Sequence, residues 1–264
     1  MSTLSVVIPA LDDADMLRGA LAALAMQTRP VDEIIVVDNG STDATAEVAR
    51  AGGARVLLEP VRGIMSASAT GYDAATGELI ARIDADSRPP AEWAARVVAE
   101  FDASPTTDVL TGPGAFYGPN RVANWLGEHL YIPAYFHIVG PWLGRPPLFG
   151  SNFVMRASVW RRVRERVHRD DPRLHDDLDL SLHLPLDVVV RYDETLRVGV
   201  SARPLETWRG IGRRLSWAYH TFAEHWPEAS PWARRAAWRA WARRPPEHDR
   251  AELSGLAREG AGED

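Results

Sequence analysis

Two aspartates one residue apart, Asp84 and Asp86, close the apolar run Leu79-Ile80-Ala81-Arg82-Ile83 and are followed by Pro89-Pro90. If that run is a strand, its alternation directs both carboxylates to one face. More acids follow other apolar runs: Asp12-Asp13 after residues 4–8, Asp38 and Asp43 after residues 33–37, and Asp176, Asp177 and Asp179 in a later block. Carboxylates gathered in a folded protein are costly unless a cation neutralises them. Oxygen-only ligands favour Mg²⁺ or Mn²⁺, and Mg²⁺ is typically held by one or two carboxylates plus substrate phosphates. In Asp84-Ala85-Asp86 one acid can then reach the metal while the other contacts ribose or sugar hydroxyls. Arg62 is a partner of the right chemistry for a phosphate. Each acidic cluster taken alone is also what a helix N-cap or a tight turn uses. Their arrival after successive strands is what points to a site.

The elements that must position these acids are legible as an alternation. Apolar runs at 4–8, 33–37, 55–58, 79–83 and 108–110 read as strands. Between them, Leu17, Leu21 and Leu24 recur at helical spacing, residues 43–50 stop at Gly52-Gly53, residues 66–75 are rich in small side chains, and a helix starts near Pro90. Strand and helix in turn imply right-handed crossovers and a mostly parallel sheet covered on both faces. Ligands of such sheets bind outside the carboxyl ends of the strands, the edge where these acids fall. Residues 111–150, rich in Gly, Pro and aromatics, read as loops with short helices. Runs at 188–192 and 195–200 read as a final strand pair. Trp208, Ile211, Leu215, Ala218 and Phe222 give a helix with one buried stripe.

Composition sets outer limits. The 264 residues suffice for one large domain or two small ones, and 45% hydrophobic with 25% charged residues is ordinary for a globular chain. A net charge of −6 implies no bulk attraction to nucleic acid, and all 30 basic residues are Arg. Cysteine is absent, which excludes disulfides, thiolate metal sites and a Cys nucleophile. The opening MSTLSVVIPA lacks a basic segment followed by a long apolar one, and no run of about 18 apolar residues occurs. The expected location is cytoplasmic, with room for peripheral contact at the inner face of a membrane; the oligomeric state is not legible.

In order along the chain, SVVIPALDDADMLRGAL, DEIIVVDNGSTDAT, GELIARIDADSRPP, GSNFVMRASVW and HDDLDLSLHL resemble the blocks of the family 2 glycosyltransferases over roughly residues 4–203. The resemblance implies the GT-A fold, a Rossmann-like, mostly parallel sheet, here with a C-terminal helical extension. It also implies inverting transfer from a nucleotide-diphosphate sugar to a hydroxyl acceptor, with Mg²⁺ or Mn²⁺. By position, it implies that Pro9, Ala10, Asp12 and Asp38 line the nucleotide pocket, with Arg62 and Gly63 near the base or ribose. Asp84 is implied on the ribose or donor sugar, and Asp86 on the metal. Gly150, Ser151, Asn152 and Asp176 are implied beside the sugar and acceptor, and Asp177 as the general base. The expected division is a nucleotide-sugar-binding half at 1–110, an acceptor and catalytic half at 111–205, C-terminal helices at 206–246 and a loosely held tail at 247–264.

The departures carry information too. Asp12-Asp13 stands where relatives carry Asn-Glu, Ser68-Ala69 where many carry Arg-Asn, and Asp176-Asp177 where Glu-Asp is usual. His183 occupies a position where Arg is common and reads as a surface helix residue. The Gln-x-x-Arg-Trp block of processive polymerases is absent, Arg214-Leu215-Ser216-Trp217 being a faint echo, so single-sugar transfer is expected. The aromatic stretch 124–150 fits core packing under loops, or an apolar acceptor pocket or bilayer contact. His129, His137 and His220 read as structural, although one of the chain's histidines could complete the metal shell. The segment 232–244 does not segregate its Trp from its Arg residues, and reads as a helix packed on the body with Arg outward. Donor, acceptor and the Arg of 203–214 that meets phosphate stay open. A sugar nucleotidyltransferase and a non-catalytic nucleotide-binding relative are the competing readings. The acidic PALDDAD argues against the first, and no Gly-x-Gly-x-x-Gly supports a dehydrogenase.

Overall fold

The computed structural model describes residues 1–226 and 230–242. The acid-bearing runs form parallel strands β1 (Leu4–Ala10), β2 (Glu33–Asp38), β3 (Arg55–Leu58) and β4 (Leu79–Arg82), linked by helices α1 (Ala14–Ala25), α2 (Thr45–Ala51) and α3 (Ile64–Ala74). β1 is buried along its whole length because helices cover both of its faces, the condition under which a parallel strand reads as a continuous apolar run. After α4 (Trp93–Ala103), the chain adds β5 (Val109–Thr111), β6 (Gly114–Tyr117), β7 (Phe153–Arg156), β8 (Val190–Tyr192) and β9 (Val198–Ser201). The main sheet has the order β3-β2-β1-β4-β7-β5-β8, and β6 pairs with β9 in a second, two-stranded sheet. The strands expected at 188–192 and 195–200 are therefore real but not partners of one another.

One strand register brings distant polar residues together. β7 runs antiparallel to β4, with Arg82 opposite Phe153. An antiparallel neighbour begins where its partner ends, so residues 150–152, just before β7, lie beside the acids that follow β4.

Between β6 and β7 the chain winds through α5 (Arg121–Leu126), a π turn at Gly127–Tyr131, α6 (Ile132–Ala134), a second π turn at Tyr135–Val139 and α7 (Gly140–Leu143). The short helices expected here are thus joined end to end over residues 121–143, followed by a non-helical stretch from 144 to β7. Tyr131, Tyr135 and Phe136 pack about Phe149, while Trp125, Leu130 and Ile138 stay exposed. After β7 come α8 (Ala157–Val163), α9 (Asp176–His183), α10 (Trp208–Glu224) and α11 (Pro231–Ala242). Of the apolar stripe expected on α10, Phe222 packs on Trp142 and Ala218 is half-buried, whereas Leu215 is 67% exposed. The side chains of Trp208 and Ile211 lie outside the described residues, and Gly210, Arg214 and Trp217 line a cleft. The helix thus also presents Arg214 and Trp217 to a polar cleft, a side that hydrophobic spacing does not mark. α11 docks on the body through Arg234, whose Nε and NH1 donate to the Leu143 and Leu182 carbonyls at 3.2 and 3.1 Å. This Arg turns inward against expectation, while Arg235 and Arg239 face outward. The expected tail at 247–264 and the last residues of the 206–246 segment lie outside the described residues. Among those described, no helix is long and apolar enough to cross a membrane.

The packing of α3 on β1 and β2 explains its small residues. A Cβ on Gly71 would sit 2.3 Å from Val7 Cγ1 and 3.0 Å from Val37 Cγ2. Gly71→Ala is expected to destabilise the fold by about 1–3 kcal/mol through overpacking. The check is the midpoint of urea unfolding, and an unchanged midpoint would mean that helix and sheet are less closely packed than described.

Candidate active site

At the carboxyl edge of β1, β2 and β4 opens a cleft of about 870 Å³, within the size range of small-molecule sites. Its acidic wall is organised around a cation that sequence reading left without a role, Arg82. This side chain is 2% exposed, and its NH2 lies 2.9 Å from Asp84 Oδ1 and 3.1 Å from Asp176 Oδ2. Arg82 and Asp84 share a face of the extended chain at the end of β4, and α9 brings Asp176 from the far end of the sequence. Burial works against the guanidinium's charge, but Asp176 and Asp84 outweigh it and hold Arg82 protonated. Burial raises the Asp176 carboxyl and the neighbouring Asp177 adds to this, with Arg82 opposing. Gly150 fits against this group because it has no side chain: a Cβ there would lie 2.1 Å from Arg82 NH1 and 3.0 Å from Asp177 Oδ2.

Asp177, next along α9, is buried yet lines the cleft. Its Oδ1 pairs with His175 Nδ1, and its Oδ2 accepts the Gly150 N–H at 2.7 Å. Burial alone would raise this carboxyl. The charge of His175 against it, together with Arg82 and the Gly150 amide, reverses that, and Asp177 stays below the ordinary carboxylate range. His175 moves the other way: burial lowers it, but Asp177 more than compensates and holds it above its ordinary value. The result is an ionised carboxylate in a cleft, with Oδ2 held by the Gly150 amide and Oδ1 against the His175 ring.

Asp86 has a different environment. Burial and the charge of Asp84 push its carboxyl up to about 7, and its nearest cation, Arg203, lies at 3.9 Å. Arg203 is the closer partner of Asp13, at 3.1 Å. Asp84 is paired with Arg82 and Asp13 with Arg203, which leaves Asp86, among the described residues, as the carboxylate of this wall without a close cation, a group that suits a hard divalent ion. Arg214, on α10, also reaches the cleft, where its NH1 donates to the Tyr131 hydroxyl at 3.2 Å.

Residues 5–163, more than half of the chain, match the sequence model of glycosyl transferase family 2. The chain belongs to that family. An uncharacterized glycosyltransferase of Mycobacterium bovis is 42% identical over 108 residues, covering 41% of this chain and 47% of the relative. Glycosyltransferase AglE of Haloferax volcanii is 33% identical over 124 residues, 44% of this chain and 40% of the relative. The matches thus span less than half the length of these curated relatives. Among solved structures, glucosyl-3-phosphoglycerate synthase of Mycobacterium tuberculosis gives a TM-score of 0.54 at 24% identity, over 75% of this chain and 71% of that one. The same synthase with Mn²⁺, UDP-glucose and phosphoglyceric acid gives 0.54 at 23% identity, over 75% and 70%. At that identity the likeness is one of fold, and the fold is GT-A.

Within this family 2 chain, Pro9, Ala10, Arg62, Gly63, Asp84, Asp86, Gly150, Ser151, Asp176 and Asp177 all line the cleft. Three expected residues do not. Asp12 adopts a left-handed backbone (φ 51°), and its Oδ1 accepts the Thr42 N–H at 2.7 Å, tying the loop after β1 to the loop after β2. Asp13 faces the cleft in its place. Asp38 is buried and accepts the Ser41 N–H at 2.8 Å, which leaves Asn39 as the lining residue. Asn152 is wholly buried: it accepts from Trp93 Nε1 at 3.1 Å and holds the Leu196 carbonyl at 2.5 Å, so it supports the wall from behind. Arg82, His175 and Trp217 are among the lining residues missed, besides Asp13 and Asn39. A lone Arg inside an apolar strand, two residues before an Asp, was the available signal for Arg82. Nothing in the local pattern marks His175 or Trp217.

The His175–Asp177 pair makes a pH prediction. Asp177 is lowered from 3.8, so its contribution to stability is present above that value and fades as pH falls through the folded pKa. His175 is raised from 6.5, so its contribution is full below that value and fades as pH rises through the folded pKa. Both are complete between 3.8 and 6.5. His175→Gln is expected to cost about 1–3 kcal/mol in that window and progressively less well above it. Thermal melts of both proteins across pH test this, and a pH-independent difference would refute the pairing.

Proposed function

We propose that this chain transfers a single sugar from a nucleotide-diphosphate sugar to a hydroxyl acceptor, with inversion at the anomeric carbon. The observation that carries the proposal is Asp177: an ionised, buried carboxylate lining the same cleft as Asp84 and Asp86. Inversion is a single displacement. The acceptor oxygen forms a bond to the anomeric carbon as the bond to the diphosphate oxygen breaks, and the diphosphate leaves with the electron pair. The acceptor's proton goes to Asp177, acting as general base. The lowered pKa of Asp177 keeps it unprotonated before the acceptor arrives, and the Gly150 amide and His175 hold its orientation.

Asp84, tied to Arg82 and hydrogen-bonded by Ser151, is suited to hold ribose or donor-sugar hydroxyls. Asp86, with Asp13 and Asp84 close by, would hold Mg²⁺ or Mn²⁺. When bound, the cation neutralises diphosphate charge as the leaving group departs. Arg214 and Arg203 line the same cleft and would meet that charge, and Arg62 and Gly63, also lining it, would lie on the nucleotide side. The synthase sharing this fold was crystallised with Mn²⁺ and UDP-glucose, which makes UDP-glucose the first donor to assay.

A lipid-linked acceptor is the second reading. Val122, Leu126 and Leu130 recur at four-residue intervals on the helical run above the cleft-lining Tyr131, and all are exposed, as are Trp125 and Ile138. An undecaprenyl-phosphate 4-deoxy-4-formamido-L-arabinose transferase of Klebsiella pneumoniae is 39% identical over 109 residues, 37% of this chain and 33% of that one. Peripheral contact of a cytoplasmic protein with a membrane would suit such an acceptor. Sedimentation with phospholipid vesicles that is lost in Trp125→Glu/Leu130→Glu supports this reading, and no sedimentation of the unaltered chain removes it.

A panel of UDP- and GDP-sugars with Mg²⁺ or Mn²⁺, read by thermal shift and by transfer or hydrolysis, tests the main proposal. Asp177→Asn is expected to lower turnover by about 10²–10⁴-fold with donor binding retained. Asp86→Ala is expected to remove the divalent-ion dependence of donor binding. Donor binding with no turnover in the unaltered protein would instead identify a non-catalytic relative, and absence of any donor binding would refute the proposal.

A further inference from the structure

α9 has a second polar side that the cleft does not use. Residues two apart on a helix point about 200° apart, so Asp179 turns away from the cleft that Asp177 lines. It is buried among three imidazoles. His168 Nδ1 lies 2.8 Å from Asp179 Oδ1, His225 Nε2 lies 3.2 Å from the same atom, and His183 Nδ1 lies 3.6 Å from it. The ring centroids of the three histidines are 4.9–5.2 Å apart. One ligand atom from each of the four residues falls within 4.8 Å of all the others. The histidines arrive from separate segments: His168 from the loop between α8 and α9, His183 from α9 itself, and His225 from the end of α10. His183 is thus not the surface residue that its helical position implied.

The hydrogen bonds around the cluster set its chemistry. His183 Nδ1 is 2.9 Å from the Asp179 backbone carbonyl, and His225 Nδ1 is 2.7 Å from the Thr221 carbonyl. A carbonyl only accepts, so both Nδ1 atoms carry the hydrogen, and in a neutral ring Nε2 keeps its lone pair. In His225 that lone pair faces a carboxylate oxygen, and Nε2 is buried without a hydrogen-bond partner. Two lone pairs directed at one another are unfavourable unless a proton or a metal cation lies between them. A carbonyl on Nδ1 with the other ring nitrogen left for a metal is the outer-shell arrangement that orients ligating histidines.

We propose that His168, Asp179, His183 and His225 form a structural Zn²⁺ site, distinct from the oxygen-rich site at Asp86. Three imidazoles and one carboxylate suit zinc, and four protein ligands leave no open position, as in structural rather than catalytic zinc centres. The ion would clamp the 164–175 loop, which carries the cleft-lining Pro172 and His175, to α9 and α10.

The test uses the full chain without a histidine tag. After chelation and dialysis, Zn²⁺ is added back and bound metal is measured by plasma mass spectrometry, with Co²⁺ as a spectroscopic substitute. The expected result is one Zn²⁺ per chain, visible absorption of four-coordinate Co²⁺, and a melting temperature about 5–10 °C higher at a hundredfold excess over Kd. Asp86→Ala should retain all three. His225→Asn and His183→Asn keep a donor in the place of Nδ1–H but remove Nε2, and each should lose the Co²⁺ spectrum and the thermal shift. If the unaltered chain takes up no Zn²⁺, or takes up as much as the His183→Asn/His225→Asn variant, the proposal is wrong, whether or not the variants fold as well. In that outcome the cluster is held by a protonated histidine on Asp179.

Discussion

A guanidinium buried at the end of a central strand must be neutralised where it lies, because water cannot reach it. Arg82 meets that constraint with Asp84 from its own strand and Asp176 from α9. The cleft depends on this pairing. Asp176 fixes the first turn of α9, which sets Asp177 against the Gly150 amide, and Gly150 can approach only because it has no side chain. A pair of acids at a strand end and a third acid from far along the chain become one surface through this cation.

The sheet explains why that surface lies at one edge. Parallel strands β1, β2 and β4 all end there, and the antiparallel β7 starts there, so four chain segments deliver polar groups to a common line. The C-terminal elements then close it. Arg203, Arg214 and Trp217 add cations and an aromatic wall to an otherwise acidic cleft. One wall can receive hydroxyls and a divalent cation, and the other can receive negative charge.

Sequence reading succeeded where periodicity and chain direction are enough. The runs around β1, β2 and β4 are apolar because they are buried on both faces, and acids follow each of them at the carboxyl edge of the sheet. It slipped by one residue where a loop's backbone decides the direction of a side chain. The left-handed backbone of Asp12 passes the cleft to Asp13, and the turn after β2 buries Asp38 and presents Asn39. The cleft-lining side of α10 is illegible for a related reason. Leu215 is exposed and Arg214 is not because that helix lines a polar cleft, so apolar spacing is the wrong guide. His183, a surface residue by its helical position alone, faces three partners from three segments.

The alternating α/β architecture, the family and the acids at the strand ends are all written in local spacing and order, so the amino-acid sequence alone was enough to establish them. Which of those acids share a cation, which face the cleft and which serve as turns emerged only from the folded chain. Folding also brought His168, His183 and His225 around Asp179. The physical reason is range: strand and helix periods are local, whereas neutralising a buried charge requires partners from any part of the chain that the fold can bring within about 3 Å of it.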